Sequence, residues 1–268
     1  RGPWKSLSGG GLCLLGERAI LFPRVRVAWL ESAFVFAPFW LGSPPMKKTP
    51  LTEEHVRAGA RMIDFFGWNM PVMYSTIIDE VTCVRERVGL FDLTHMGRIE
   101  VSGPDREDVV KAAASKNVKT VPKGAARYGL LLTPEGTVKD DVLIYREDEV
   151  VHIVVNCANR EGDLAHIEEH GAGHDVEIRH VSDEQAMIAL QGPKSEATLQ
   201  PLTDLDLSEL GYYRFTRGRV SGFDAIVSRT GYTGEDGFEL FVAPEAAVTI
   251  WRGLHESGAE HGAQAIGL

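Results

Sequence analysis

Cysteine is scarce in this sequence. Cys13, Cys83 and Cys157 are the only three among 268 residues. An odd, widely spaced set argues against a disulfide framework, and no Cys-x-x-Cys pair offers a zinc or dithiol site. A reducing compartment fits this usage. Positive charge is also short. There are 28 Lys and Arg against 38 Asp and Glu, a formal net charge of −10. Phosphate backbones and anionic lipid need a basic surface, so no nucleic acid or membrane partner is expected. No Gly-x-Gly-x-x-Gly or Walker motif follows a strand-like run, so nucleotide binding has no support. No metal is expected from the nine histidines. Repeats and low-complexity tracts are missing as well. What is there is an ordinary globular composition, 44% hydrophobic and 25% charged, in a chain long enough to bury a core.

The front of the chain differs from the rest. Residues 1–45 carry five basic side chains (Arg1, Lys5, Arg18, Arg24, Arg26) and two acidic ones (Glu17, Glu31), and the first methionine is Met46. The apolar run Val27 to Gly42 contains Glu31 and Pro38 and is shorter than the roughly 20 residues of a membrane span. A transit peptide shares the basic bias. The sharp change in composition favours a third reading, an atypical extension outside the native fold that contributes no site residue. The expected functional region is then 46–268.

From Met46 onward, helical and strand-like patterns alternate. Thr52 is placed to cap a short helix ending near Gly59. Ile77, Val81, Val84 and Val88 follow one helical face, with Gly89 as its stop. Pro104 opens a helix toward Ala114. Tyr128–Leu132, Val138–Arg146 and Val150–Asn156 are β-branched or aromatic runs separated by turn-like breaks, the pattern of an antiparallel meander. A polar helix is expected near Arg160–His170, then strands near 187–190, 212–220, 225–229 and 238–242, and a last helix opened by Pro244. Strands in runs with helices between them indicate an α+β fold.

Two stretches carry candidate chemistry. Asp140 and Asp141 begin the apolar strand Val142-Leu143-Ile144-Tyr145, so their side chains point to opposite faces, one toward solvent and one toward a cleft. A carboxylate at a sheet end can hold or accept a substrate proton; it can equally be a turn acid that caps the loop after Gly136. Residues 228–237, Ser-Arg-Thr-Gly-Tyr-Thr-Gly-Glu-Asp-Gly, form a glycine-rich loop between strands. Either backbone there approaches something closely or the segment is a plain hairpin loop. Glu239 alternates with Phe238 and Leu240, so it faces solvent, or is buried and requires a partner. His95 reads as a structural histidine.

Thr49-Pro50-Leu51, Gly67-Trp68-Asn69-Met70-Pro71, residues 89–96 (Gly-Leu-Phe-Asp-Leu-Thr-His-Met), Asp140-Asp141, Gln191-Gly192-Pro193 and residues 229–239 keep a common order and spacing. Together they resemble the T protein family of the glycine cleavage system, the aminomethyltransferases, over 46–268. The resemblance implies an α+β fold of antiparallel sheets with packed helices in two intertwined lobes. It also implies transfer of the methylene of an aminomethyl group, carried on the lipoyl arm of the H protein, to tetrahydrofolate with release of ammonia, without a metal. By the same resemblance, Asp141 is the catalytic carboxylate beside the attacking folate nitrogen. Glu239 faces the pterin, and Tyr232, Tyr128, Asn156 and Tyr212 line the folate pocket. Asp140 is expected to matter less. The family's Gly-Leu-Gly-Ala-Arg-Asp motif and C-terminal β-barrel are not in this chain, so an incomplete fragment is expected. The resemblance places it in the cytoplasm, or in the mitochondrial matrix of a eukaryote. A folate-dependent demethylase, the folate domain of a sarcosine or dimethylglycine oxidase, and a non-catalytic folate-binding paralogue are the alternatives.

Overall fold

A computed structural model describes residues 45–268. The expectation about residues 1–45 therefore falls, apart from Pro45, outside the described residues.

The chain opens with helix α1 (Thr52–Arg57) and a hairpin of β1 (Arg61–Phe65) and β2 (Trp68–Met73). Thr52 does not cap α1 from outside. Its Oγ1 accepts the Thr49 N–H at 3.0 Å while Thr49 Oγ1 accepts from Leu51, a reciprocal arrangement that shifts the capping role back to Thr49. Helix α2 (Ile77–Glu86) follows, then β3 (Gly89–Asp92) and β4 (Gly97–Ser102). The expected apolar face of α2 splits. Val84 is buried, but Ile77 and Val81 are exposed, and Val88 enters the core beyond the helix end. The inward position goes instead to Glu80, whose carboxylate accepts the backbone N–H of Tyr74, Ser75 and Gly267 at 2.6–2.8 Å. Buried N–H groups need an acceptor, and that need overrides the hydrophobic period. Gly89 starts a strand rather than stopping a helix. A Cβ there would lie 2.5 Å from Ile266 Cγ1, and its absence lets Gln264–Ala265 pair in parallel with β3.

Helix α3 (Arg106–Ala113) leads into β5 (Ala125–Leu132), β6 (Val138–Arg146) and β7 (Val150–Val155), the expected meander. Then come α4 (Arg160–Gly171), β8 (Glu177–His180), β9 (Ala186–Gln191), α5 (Ser195–Leu199), β10 (Phe215–Val220), β11 (Phe223–Ser228), β12 (Gly237–Val242) and α6 (Ala247–Ser257).

Two sheets result. One has the order β5-β6-β7-β4-β8; the other runs β10-β11-β12-β9-β3 and ends on Gln264–Ala265. Period-two alternation gives each sheet two apolar faces. Ile99, Val142, Ile144 and Ile153 pack with Val109, Val110 and Ile167 of α3 and α4. Ile188, Leu190, Phe238 and Leu240 pack with Leu199, Ile250, Trp251 and Leu254 of α5 and α6. The remaining faces meet through Tyr145 and Val154 on one side and Met187, Phe215, Ile226 and Phe241 on the other. The order of layers is helices, sheet, sheet, helices, an α+β architecture. No helix of the described residues is long and apolar enough to cross a membrane.

Candidate functional site

In β6, Val142 and Ile144 belong to the α3/α4 core, so Asp141, Leu143 and Tyr145 share the opposite face, toward the second sheet. In β12, Phe238, Leu240 and Val242 belong to the α5/α6 core, so Glu239 and Phe241 face the first sheet. One carboxylate from each sheet thereby points into the space between them. A cavity of about 220 Å³ lies there, with Asp141, Asn156, Tyr128, Tyr232 and Glu239 among its lining and Leu93, Met96, Leu143, Val154 and Met187 as apolar walls.

Glu239 is 5% exposed. Its Oε2 accepts from Thr230 Oγ1 at 2.5 Å and from the Tyr145 hydroxyl at 3.2 Å. Burial pushes its pKa above the usual carboxylate value, and the two donors only partly offset that. The same burial, reinforced by the Glu239 charge, drives the Tyr145 phenol well above its ordinary value. Asp141 sits nearer the mouth and accepts from Asn156 Nδ2 at 3.0 Å and from the Tyr232 hydroxyl. Tyr232 is 81% exposed. Desolvation, then the bond to Asp141, raises its phenol. Tyr128, at the rim, is raised by desolvation and by the same carboxylate.

The loop that carries Tyr232 is braced from below. Gln191 Nε2 donates to Thr230 O at 3.0 Å, and its Oε1 accepts from Thr233 Oγ1 at 2.9 Å. A Cβ on Gly231 would fall 1.9 Å from Gln191 Oε1, so the close approach requires glycine. Arg229 grips Asp236 with two bonds, at 2.9 and 2.6 Å, closing the base of the loop.

The structure thus brings Asp141, Glu239, Tyr232, Tyr128 and Asn156 to one cavity. Tyr212 is not brought there. It lines a neighbouring groove with Arg229 and Asp236, because Tyr213 takes a positive φ of 59° and the strand starts only at Phe215. Asp140 points away from the cavity, as alternation requires, yet not into solvent: it is buried under α4. Sequence reasoning missed Leu143 and Tyr145, which Asp141's own parity marks, and Thr230, whose place beneath Glu239 no spacing reveals. His95 is buried, packs edge-on against Phe65, and desolvation lowers it to about 4. One spacing outside the motifs named above is His166-x-x-x-His170 in α4. Both histidines bond backbone carbonyls, of Ala113 and His166, which gives them structural work.

A larger cleft of about 600 Å³ runs past Lys47, Trp68 and Arg160. The two cations lie 5.6 and 5.4 Å from the Trp68 ring centroid. Its two carboxylates, Glu161 and Asp183, are both exposed, whereas the smaller cavity pairs apolar walls with two differently solvated carboxylates, which makes it the candidate site.

Fold and cavity define a class: an α+β domain in which two facing antiparallel sheets each lend a carboxylate to an amphipathic pocket. The chain belongs to the GCVT N-terminal domain family, whose model matches residues 51–268. It is 49% identical over 214 residues to the aminomethyltransferase of Rubrobacter xylanophilus, covering 80% of this chain and 58% of that protein. It is 46% identical over 224 residues to that of Moorella thermoacetica, covering 83% and 61%. Among solved structures it is similar to glycine cleavage system aminomethyltransferase T from Bartonella henselae. The TM-score is 0.76 at 30% identity, over 83% of this chain and 60% of that one. A heterotetrameric sarcosine oxidase from Corynebacterium shares the fold, at 13% identity and a TM-score of 0.57. The chain thus spans about three fifths of the length of these two curated relatives.

Proposed function

We propose that residues 46–268 are the folate-binding region of an aminomethyltransferase of glycine cleavage, and that residues 1–45 contribute nothing to its site. The reaction moves the methylene of an aminomethyl group on the lipoyl arm of the H protein to tetrahydrofolate. The carbon's bonds to the amine nitrogen and to sulfur break, two new bonds join that carbon to two tetrahydrofolate nitrogens, and the two protons those nitrogens lose leave with ammonia and with the lipoyl thiol. The protein works in the cytoplasm, or in the mitochondrial matrix of a eukaryote. What supports this reading is the meeting of Asp141 and Glu239, from separate sheets, in one cavity with Tyr232 above it.

In this assignment Glu239 holds the pterin edge at the apolar floor. A paired N–H donor face matches a carboxylate already fixed by two hydroxyls. The rings of Tyr128 and Tyr232 offer faces to a flat ligand. Asp141, nearer the mouth, orients the N–H of the attacking amine and stabilises positive charge as it develops there. Asn156 holds the Asp141 carboxylate in place.

Asp141→Asn tests the assignment in the intact protein. Shape and packing change little, so tetrahydrofolate should still quench tryptophan fluorescence with similar affinity. Methylene transfer, followed as ammonia release from aminomethyl-loaded H protein, should fall by about 100-fold. Undiminished transfer would remove Asp141 from this role, and failure of the parent to bind tetrahydrofolate would overturn the whole reading.

A further inference from the structure

Asp140 is buried to 5% exposure and well supplied with donors. Its Oδ2 accepts the Asn156 N–H at 3.0 Å, and its Oδ1 accepts Asn156 Nδ2 at 3.0 Å and Asn159 Nδ2 at 2.7 Å. The same Asn156 Nδ2 reaches Asp141 O at 3.1 Å and Asp141 Oδ1 at 3.0 Å. One amide, with two hydrogens for three acceptors, therefore bridges the two aspartates. The far side of Asp140 meets a third acid. Asp163, in the first turn of α4, is 1% exposed, and its Oδ2 is buried without any N–H or O–H donor among the described residues. Asp140 is the side chain set against it, within hydrogen-bonding reach.

Two carboxylates cannot bond each other unless one holds a proton. Asp140 has three N–H donors to support a charge, and Asp163 Oδ2 has none, so the proton belongs on Asp163. The acidities agree. Burial, then the bond and charge of Asp140, raise Asp163 to about 8, and Lys139 opposes this from β6. Burial works against Asp140 too, but the donors from Asn156, Asp163 and Asn159 outweigh it and leave that carboxyl below its usual value.

We infer that Asp163 is a positioning residue: a neutral acid that clamps Asp140, through it the Asn156 amide, and through that the Asp141 carboxylate. This rests on the reading of Asp141 given above and deepens it. The active carboxylate is held by a buried acid–acid pair on the reverse face of its own sheet. Loss of the Asp163 proton places two desolvated negative charges side by side, and the pair opens.

The test compares the parent with Asp163→Asn, whose amide keeps a donor in nearly the same shape, and Asp163→Ala, which has none. The readout is the Asn156 side-chain amide in nitrogen-resolved NMR spectra from pH 5.5 to 9.5, alongside kcat and KM for transfer. In the parent, the protected Asn156 amide signals should weaken as pH rises through about 8. In Asp163→Asn they should persist at every pH. In Asp163→Ala they should be lost throughout, with kcat down roughly tenfold to a hundredfold and KM for tetrahydrofolate little changed. An Asn156 amide that is indifferent to both substitutions overturns the inference. If Asp163→Ala does not fold, Asp163→Asn decides alone: a flat pH response supports the clamp, and the parent's response persisting in it refutes it. If the amide behaves as expected while Asp141→Asn still transfers at the parental rate, the clamp stands and the role of Asp141 falls.

Discussion

Glu239 shows how one residue's position sets its chemistry. It is a carboxylate at the bottom of an apolar cavity, with both bonded hydroxyls on Oε2 and no hydrogen bond from Oε1 to the described residues. On the proposed reading, a ligand with paired donors completes what the protein leaves open. Glu239→Gln keeps the shape but gives up the charge. Its amide must also turn a donor either to the ligand or toward Thr230 and Tyr145. The affinity for tetrahydrofolate should fall about 10- to 100-fold, matching the roughly 1.5–3 kcal/mol of a charged hydrogen bond. Isothermal titration reads this directly, and an unchanged dissociation constant would detach Glu239 from the pterin. Much at this scale was legible. Alternation separated Asp140 from Asp141 and turned Glu239 away from Phe238 and Leu240. The partners were not legible, because Thr230, Tyr145 and Asp163 reach their places through sheet pairing and helix packing that local spacing does not encode. Asp140, expected to be the silent neighbour, is bound into the same network from behind, so an Asp140→Asn variant is no neutral control.

At the scale of elements, the meander was the clearest reading. β6 runs over Val138–Arg146 as the sequence predicts, because β-branched runs bounded by turn residues leave few alternatives. The β1–β2 hairpin went unread. Its turn, Phe66-Gly67, has φ values of 50° and 80°, and a phenylalanine in that conformation gives no Asn-Gly signal. β8 was missed because Glu177-Ile178-Arg179-His180 is a short, largely exposed edge, without an apolar alternation to mark it. α2 was legible as a helix but not in its facing. Glu80 spends its carboxylate on the backbone before the helix and on Gly267, so it ties three segments of chain together. Glu80→Ala should leave three N–H groups without their acceptor and cost on the order of 3 kcal/mol in a urea titration. A loss below about 0.5 kcal/mol, the range of a plain surface substitution, would show that the carboxylate is not what fastens this corner.

At the scale of the whole molecule, the two sheets touch through aromatic and aliphatic side chains, and the cavity is the gap where they part. The bond from Tyr232 to Asp141 crosses the mouth of that gap, from the loop of one sheet to a strand of the other. The phenol occupies an oxygen of the Asp141 carboxylate, so on the proposed reading it competes with the incoming amine for that oxygen. An intramolecular rival of this kind is always present, and it lowers the apparent affinity by the fraction of time it is engaged. An exposed bond of this sort is worth about 0.5–1.5 kcal/mol. Tyr232→Phe, which keeps the ring and drops the hydroxyl, should bind tetrahydrofolate roughly two- to tenfold more tightly. Weaker binding in that variant would mean that the hydroxyl serves the ligand and not the latch. On the proposed reading, a ligand that takes the Asp141 oxygen displaces only the Tyr232 phenol, while Gln191 and the Arg229–Asp236 pair still hold the loop beneath it.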